Sequence, residues 1–198
     1  MAAKLSVWSS GEGRRAGVAI LLNPYGSVSL AQPWGQEHWS EHLIMLTGVI
    51  DGKVFMFINI YAPVHGAVRT QFFRKQLSIP FPADVEYLVG GDFNCVEKNG
   101  LDRVGGSKRS DIGAKVLSAW SDKLGIVDTG FRNMPVRSGA REKEKYARDH
   151  HTHRHKAASG EVGTSRLDRW YISASAKKMV RSVKAEDPPC RTDHRADS

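Results

Sequence analysis

The chain is poor in cysteine, poor in acid relative to base, and without a long apolar run. Two cysteines in 198 residues, Cys95 and Cys190, are too few for a disulfide framework or a closed zinc site, so a reducing compartment is expected. No apolar run approaches the roughly 20 residues of a membrane span. The opening "MAAKLSVWSSGEGRRAG" lacks the charged-then-apolar order of a secretory signal. There is no internal repeat and no low-complexity segment. Acids number 21 against 29 Lys and Arg, a net charge of +8. A basic balance suits a polyanionic partner, nucleic acid among others, and says nothing of chemistry.

What is present reads as one domain over residues 1–198, with 40% hydrophobic residues to build its core. "AGVAILLNP" (Ala16 to Pro24) reads as a buried strand ended by Asn-Pro. Leu43 to Ile50 and Lys53 to Tyr61 are β-rich runs joined by Asp51-Gly52, a strong hairpin signal. "VRTQFFRKQLSIPFP" is helical in pattern up to Pro80 and Pro82. "VEYLVGGDFN" is a strand. Ile112, Val116, Leu117, Trp120 and Leu124 share a helical period, with Gly125 as its stop. Met134 to Gly163 is polar and glycine-punctuated, "SRLDRWYIS" is another strand, and Pro188-Pro189 bends the tail. Several strands separated by two helices indicate an α+β fold.

The chemistry-bearing residues gather where strands end. Asp92 and Asn94 follow two glycines and, on an extended chain, point to one side. Asp168 sits within "SRLDRWYIS", and Asp193 and His194 within "RTDHRADS". Carboxylates suit a hard cation, and a histidine held by an acid suits proton transfer. Taken one at a time the bland alternatives stand: Asp92 as a turn residue, Asp168 paired with Arg166 or Arg169 on a surface, Asp193-His194 as a solvated tail. His151, His153 and His155 alternate along one strand face, but no Cys or acid supports a zinc site among them, and a basic loop or strand edge is the plainer reading. Between Arg137 and Lys156 stand Arg137, Arg141, Lys143, Lys145, Arg148, Arg154 and Lys156, a stretch suited to a solvated loop or to DNA phosphates. The tryptophans at 34, 39, 120 and 170 read as core, and Cys95 as a small buried hydrophobe.

"NIYAP", "GGDFN", "SRLDRWYIS" and "TDHRADS", in this order, resemble the endonuclease/exonuclease/phosphatase superfamily. Within it they are most similar to the apurinic-type endonuclease domains of non-LTR (LINE-like) retrotransposons, and the resemblance runs from about Arg14 to Ser198. It implies a DNase I-like two-layered β-sandwich flanked by helices. The implied activity is a metal-dependent phosphodiester hydrolase, with Mg²⁺ or Mn²⁺ as cofactor, that nicks DNA as a monomer. It implies that Asp92 activates the attacking water, that Asn94 holds the phosphate, and that Tyr61 contacts it near the leaving group. Asp168 would orient His194, Asp193 would join the metal site, and nuclear action would follow. The family's upstream asparagine and its "QET"-like glutamate, the main metal ligand, have no match; Glu12, in a Gly-rich turn, is the sole acid in the first fifteen residues. The expectation is therefore a domain lacking its first and last strands, with reduced activity. The other readings are a catalytically dead nucleic-acid-binding remnant, and another phosphodiesterase or phosphatase of the superfamily.

Overall fold

The computed structural model of the chain describes residues 6–9, 17–105, 111–130, 139–156, 160, 162–187, 192 and 194–197. Glu12, Arg137, Asp193, Cys190 and the Pro188-Pro189 bend lie outside these described residues.

Two short strands, β1 (Ser6–Trp8) and β2 (Ala19–Leu21), form an antiparallel ribbon. They are followed by β3 (Ser29–Pro33), β4 (Leu43–Ile50) and β5 (Lys53–Tyr61). The β4–β5 hairpin forms in the register that Asp51-Gly52 predicts, from Ile50 opposite Lys53 to Leu43 opposite Ile60. Both turn residues have positive φ, 49° and 76°, the geometry that favours Asp-Gly. Helix α1 (Gly66–Ser78) then crosses over to β6 (Glu86–Asp92), which pairs parallel to β5. After β7 (Arg103–Val104) come α2 (Ala114–Leu124) and β8 (Ile126–Asp128). Next are α3 (Ala140–Asp149), β9 (His153–Lys156), β10 (Val162–Ser165) and β11 (Asp168–Ser173). The last pair, β12 (Ala185–Glu186) and β13 (Ala196–Asp197), is antiparallel.

The main sheet has the order β3-β4-β5-β6-β11-β8, with β5–β6 its one parallel pair. Its central strands are apolar on both faces, as strands with a cover on each side must be. Leu43 and Met45 of β4 with Met56, Ile58 and Ile60 of β5 pack beneath Phe73 of α1 and Leu117 and Trp120 of α2. The alternate residues Ile44 and Leu46 pack on Val7 and Val18 of the N-terminal ribbon. Phe55 and Ile172 meet Ala176 of a 3₁₀ helix, Ala174–Met179. The architecture is α+β, as expected. On the face away from α1 and α2, the described residues supply short ribbons and this 3₁₀ helix.

Three local readings change. Of the strand expected over residues 16–24, the described residues 17–24 form only three residues, Ala19–Leu21, half-exposed because they edge a ribbon. The polar stretch after Met134 contains α3, capped where Glu142 accepts from the Gly139 N–H and tied by an Arg148–Glu144 pair at 2.9 Å. Strong helix formers (Ala, Arg, Glu, Lys) build it with little apolar periodicity to announce it. "SRLDRWYIS" is two strands, because the chain turns at Arg166 and Leu167 from the three-stranded sheet β7-β10-β9 into the main sheet.

Candidate active site

Sheet register assembles the site. Tyr61 at the end of β5 pairs with Asp92 at the end of β6, and Asp92 pairs with Asp168 at the start of β11. One row across three strands thus carries a phenol and two carboxylates. The two glycines before Asp92 make this row possible. A Cβ at Gly90 would fall 2.5 Å from the Trp170 ring, and Gly91, at φ 124°, would press one onto the Ile60 carbonyl of the parallel neighbour. Only glycine combines that φ with that approach.

Asn94 does not continue the extended chain. It turns into the left-handed region at φ 46°, which asparagine tolerates better than most residues. Its backbone N–H donates to Asp92 Oδ1 at 2.7 Å, and its Nδ2 donates to the Ala62 carbonyl at 2.8 Å. The shared orientation of Asp92 and Asn94 is therefore produced by a turn closed on Asp92 rather than by strand alternation.

His194 arrives from the far end of the chain. Its Nδ1 lies 2.9 Å from Asp168 Oδ2. The backbone holds it through a bridge to His153 and through the Arg195 N–H, which donates to the Thr152 carbonyl at 2.6 Å. With its Nδ1–H donated to Asp168, the neutral imidazole carries its basic lone pair on Nε2. Asp168 thus pairs with His194. Arg166 and Arg169 turn inward instead, to 1% and 0% exposure, which removes the reading of a surface ion pair with Asp168.

Those two arginines anchor a buried ionic lattice that sequence reasoning did not find. Arg166 donates to Asp102 Oδ1 at 3.1 and 2.8 Å and to Asp128 at 2.9 Å. Arg169 donates to Asp102 Oδ2 at 3.1 Å and to the Arg166 carbonyl. Glu97 completes it, accepting from the Tyr171 hydroxyl at 2.7 Å. Burial pushes the Asp102 carboxyl up, but Arg169 and Arg166 outweigh it and hold it below the ordinary carboxylate range. The one available signal was the pair of arginines flanking Asp168, whose partners Asp128 and Asp102 lie 38 and 67 residues away in the chain.

Asp92 behaves differently. Burial first, and the neighbouring Asp168 second, raise its pKa from 3.8 to about 6, against the Asn94 N–H, His194 and Arg169. Asp92, Asp168 and His194 each offer a ligand atom within 4.8 Å of the others, the only such cluster among the described residues. A hard cation seeks about six oxygens. Two carboxylates and an imidazole fit part of that shell and leave the rest to water or substrate.

These residues line one cavity of about 900 Å³ with Tyr61, Asn94, Arg69, Arg103, Asp111, His153 and His155. The structure thus brings together Tyr61, Asp92, Asn94, Asp168 and His194. The basic residues lie elsewhere. Arg141, Lys145 and Arg148 are exposed on α3, where Lys143 is half-buried, and Arg154 and Lys156 are exposed on β9. Arg148 and Arg154 line a second cavity of about 720 Å³ with Arg195. His151 leaves the expected histidine row: it is buried between Thr164 Oγ1 and the Leu101 carbonyl, both at 2.7 Å, and burial lowers its pKa. Trp120 is fully buried and Trp34 and Trp39 pack against the same core.

The α+β architecture built on this six-stranded sheet is the DNase I-like fold, shared with solved endonuclease and exonuclease structures. Three solved structures share it across almost the whole chain. The endonuclease domain of TRAS1, a telomere-specific non-LTR retrotransposon, aligns with a TM-score of 0.58 at 14% identity, covering 96% of this chain and 76% of that one. An AP endonuclease from Archaeoglobus fulgidus aligns at 0.64 and 15%, covering 97% and 77%. The 3'-5' exonuclease NExo from Neisseria meningitidis aligns at 0.60 and 17%, covering 96% and 77%. No protein-family model and no curated protein matches the chain.

Proposed function

We propose that the chain is a divalent-metal-dependent phosphodiester hydrolase that nicks DNA. The observation that carries this is the Asp168–His194 contact beside Asp92 in a single open cavity. A carboxylate whose pKa is raised to about 6 can accept a proton close to neutral pH, and the Asp168 carboxylate orients the imidazole beside it. Asp92 takes a proton from the attacking water, Asn94 presents its amide to the phosphate, and Tyr61 lies near the leaving group. Asp168 keeps the His194 ring in place. Asp92, Asp168 and His194 would hold Mg²⁺ or Mn²⁺, with Asp193 added from outside the described residues. A cation bound there would supply positive charge against the phosphate. DNA as substrate is supported by the net charge, by the exposed bases on α3 and β9, and by the nuclease character of the structural neighbours, one of them solved with a product DNA hairpin. The retrotransposon type of nicking rests on the four sequence motifs and on the TRAS1 likeness.

The test is conversion of supercoiled plasmid to open circle with Mg²⁺ or EDTA, beside the Asp92→Ala/His194→Ala double variant. Cleavage that needs metal and falls by at least about 10²–10³ in the variant is expected. A folded chain that nicks no faster than the variant overturns the proposal and leaves a DNA-binding protein without turnover.

A further inference from the structure

The face of the main sheet away from α1 and α2 keeps an apolar groove. The β1–β2 ribbon covers Ile44 and Leu46, and the 3₁₀ helix Ala174–Met179 covers Phe55 and Ile172. Between them, among the described residues, lies a cavity of about 370 Å³ floored by Phe57 of β5, Leu88 of β6 and Trp170 of β11. Of the residues placed in the reaction, Asp168 alone lines this groove as well as the reaction cavity.

One wall of the groove is β2. Backbone hydrogen bonds alternate sides along an antiparallel strand. The Ser9 N–H donates to the Val18 carbonyl at 2.9 Å, so Val18 and Ile20 turn their backbone groups toward β1. Ala19 and Leu21 turn theirs the other way. The Ala19 carbonyl shows where that is, since it accepts from Asn59 Nδ2 at 2.8 Å and Asn59 lines the groove. Leu21 thus offers an N–H and a C=O to the groove, and no strand pairs with that edge among the described residues. An open edge beside an apolar floor is the arrangement to which an extended peptide adds as a strand.

The opposite flank is basic. Val180 packs on the cluster of Phe55, Ile172 and Ala176, which Phe57 and Leu88 also join. Around it, residues 174–185 carry exposed Lys177, Lys178, Arg181 and Lys184 and no acid. Together with the net charge of +8, this opposes a second copy of the chain as occupant and matches an acidic one. We infer that a strand of a partner protein, alternating apolar and acidic residues, adds to β2 across this groove. Its apolar side chains enter the floor, and its carboxylates meet the bases beside Val180. The docking surface is independent of the hydrolase reading.

The probe is a short fluorescein-labelled peptide alternating valine and glutamate, titrated into the full 198-residue chain by anisotropy. It should bind, and a valine–lysine peptide should not. Leu21→Pro removes the outward N–H at a residue whose side chain is exposed, and should weaken binding about tenfold. Lys178→Glu/Arg181→Glu should weaken it by at least as much. Circular dichroism checks the fold of each variant. Two modified peptides test the strand geometry on the unaltered chain. Valine N–H groups point to one edge of the added strand and glutamate N–H groups to the other. N-methylation of one set should therefore abolish binding, and of the other set spare it. No binding of the valine–glutamate peptide, equal binding of the valine–lysine peptide, or equal effects of the two methylations overturns the proposal. So does a dimer of the chain in sedimentation that Leu21→Pro dissolves, which would give the groove to a second copy.

Discussion

Asp92 should destabilise the protein that it serves. Its pKa rises from 3.8 to about 6 because the fold buries it beside Asp168. At ~1.36 kcal/mol for each tenfold in proton affinity, that rise corresponds to about 3 kcal/mol held against the ionised folded state. The sign follows from proton binding. Between pH 3.8 and 6 the folded chain keeps a proton that the unfolded chain has lost, so stability falls as pH climbs through that window. Above it both states are ionised and the fold bears the whole difference. Asp92→Asn removes the charge and retains an oxygen to accept the Asn94 N–H. The variant should therefore match wild type near pH 4 and exceed it by up to about 3 kcal/mol at pH 8. In urea this is a midpoint shift of about 1 M for a slope of about 3 kcal/mol per molar. The assay is urea unfolding of both proteins from pH 4 to 8 in EDTA. Added Mg²⁺ should then close the gap by stabilising wild type, since a cation bound to the native carboxylates stabilises only the state that holds it. A midpoint difference independent of pH, or a wild type more stable at pH 8, refutes the reasoning.

Other consequences are as direct. Asp102→Ala strips the shared acceptor from two buried guanidinium groups and should cost about 3–5 kcal/mol in urea unfolding; a loss under about 1 kcal/mol would mean that the lattice contributes no stability. Gly91→Ala, with its φ of 124° and a backbone carbonyl in the way, should leave little soluble protein. Gly52→Ala, with open space around it, should lose only about 1 kcal/mol, and equal losses would discard the steric account of Gly91. Asp168→Asn removes the acceptor for His194 Nδ1 and should slow nicking by at least about 10² while DNA affinity measured in EDTA stays within about twofold. If Lys145 and Arg154 touch phosphate, Lys145→Ala/Arg154→Ala should flatten the slope of log K against log salt by about 0.9 for each phosphate no longer neutralised, and an unchanged slope would move the DNA elsewhere.

Much of the fold was legible because local chemistry and tertiary demand agree. Asp51-Gly52 sets the hairpin register and Gly125 ends α2 at φ 62°. The site was legible as motifs, since Asp92, Asn94, Asp168 and His194 stand in short recognisable strings. Their convergence was not, because it depends on the registers of β5, β6 and β11 and on a bridge between residues 153 and 194. Helix α3 was hidden because it buries only Ala147 and so lacks an apolar stripe. The lattice of Arg166 and Arg169 was hidden because charged residues read as surface, and it is Asp102, Asp128 and Glu97, all distant in the chain, that make their burial tolerable. The turn at Asn94 was hidden because two residues separated by one look the same on an extended chain and on a turn closed by a side chain.

The two halves of the proposed reaction centre are made at different times. Asp92 and Asp168 belong to neighbouring strands of the main sheet, whereas His194 reaches them only after the chain has passed through residue 192 and docked against Thr152 and His153. A nascent chain that has not yet emerged through residue 194 therefore displays both carboxylates with no imidazole beside Asp168. In this chain the order of synthesis therefore delays the Asp168–His194 pair until residue 194 has been made and docked.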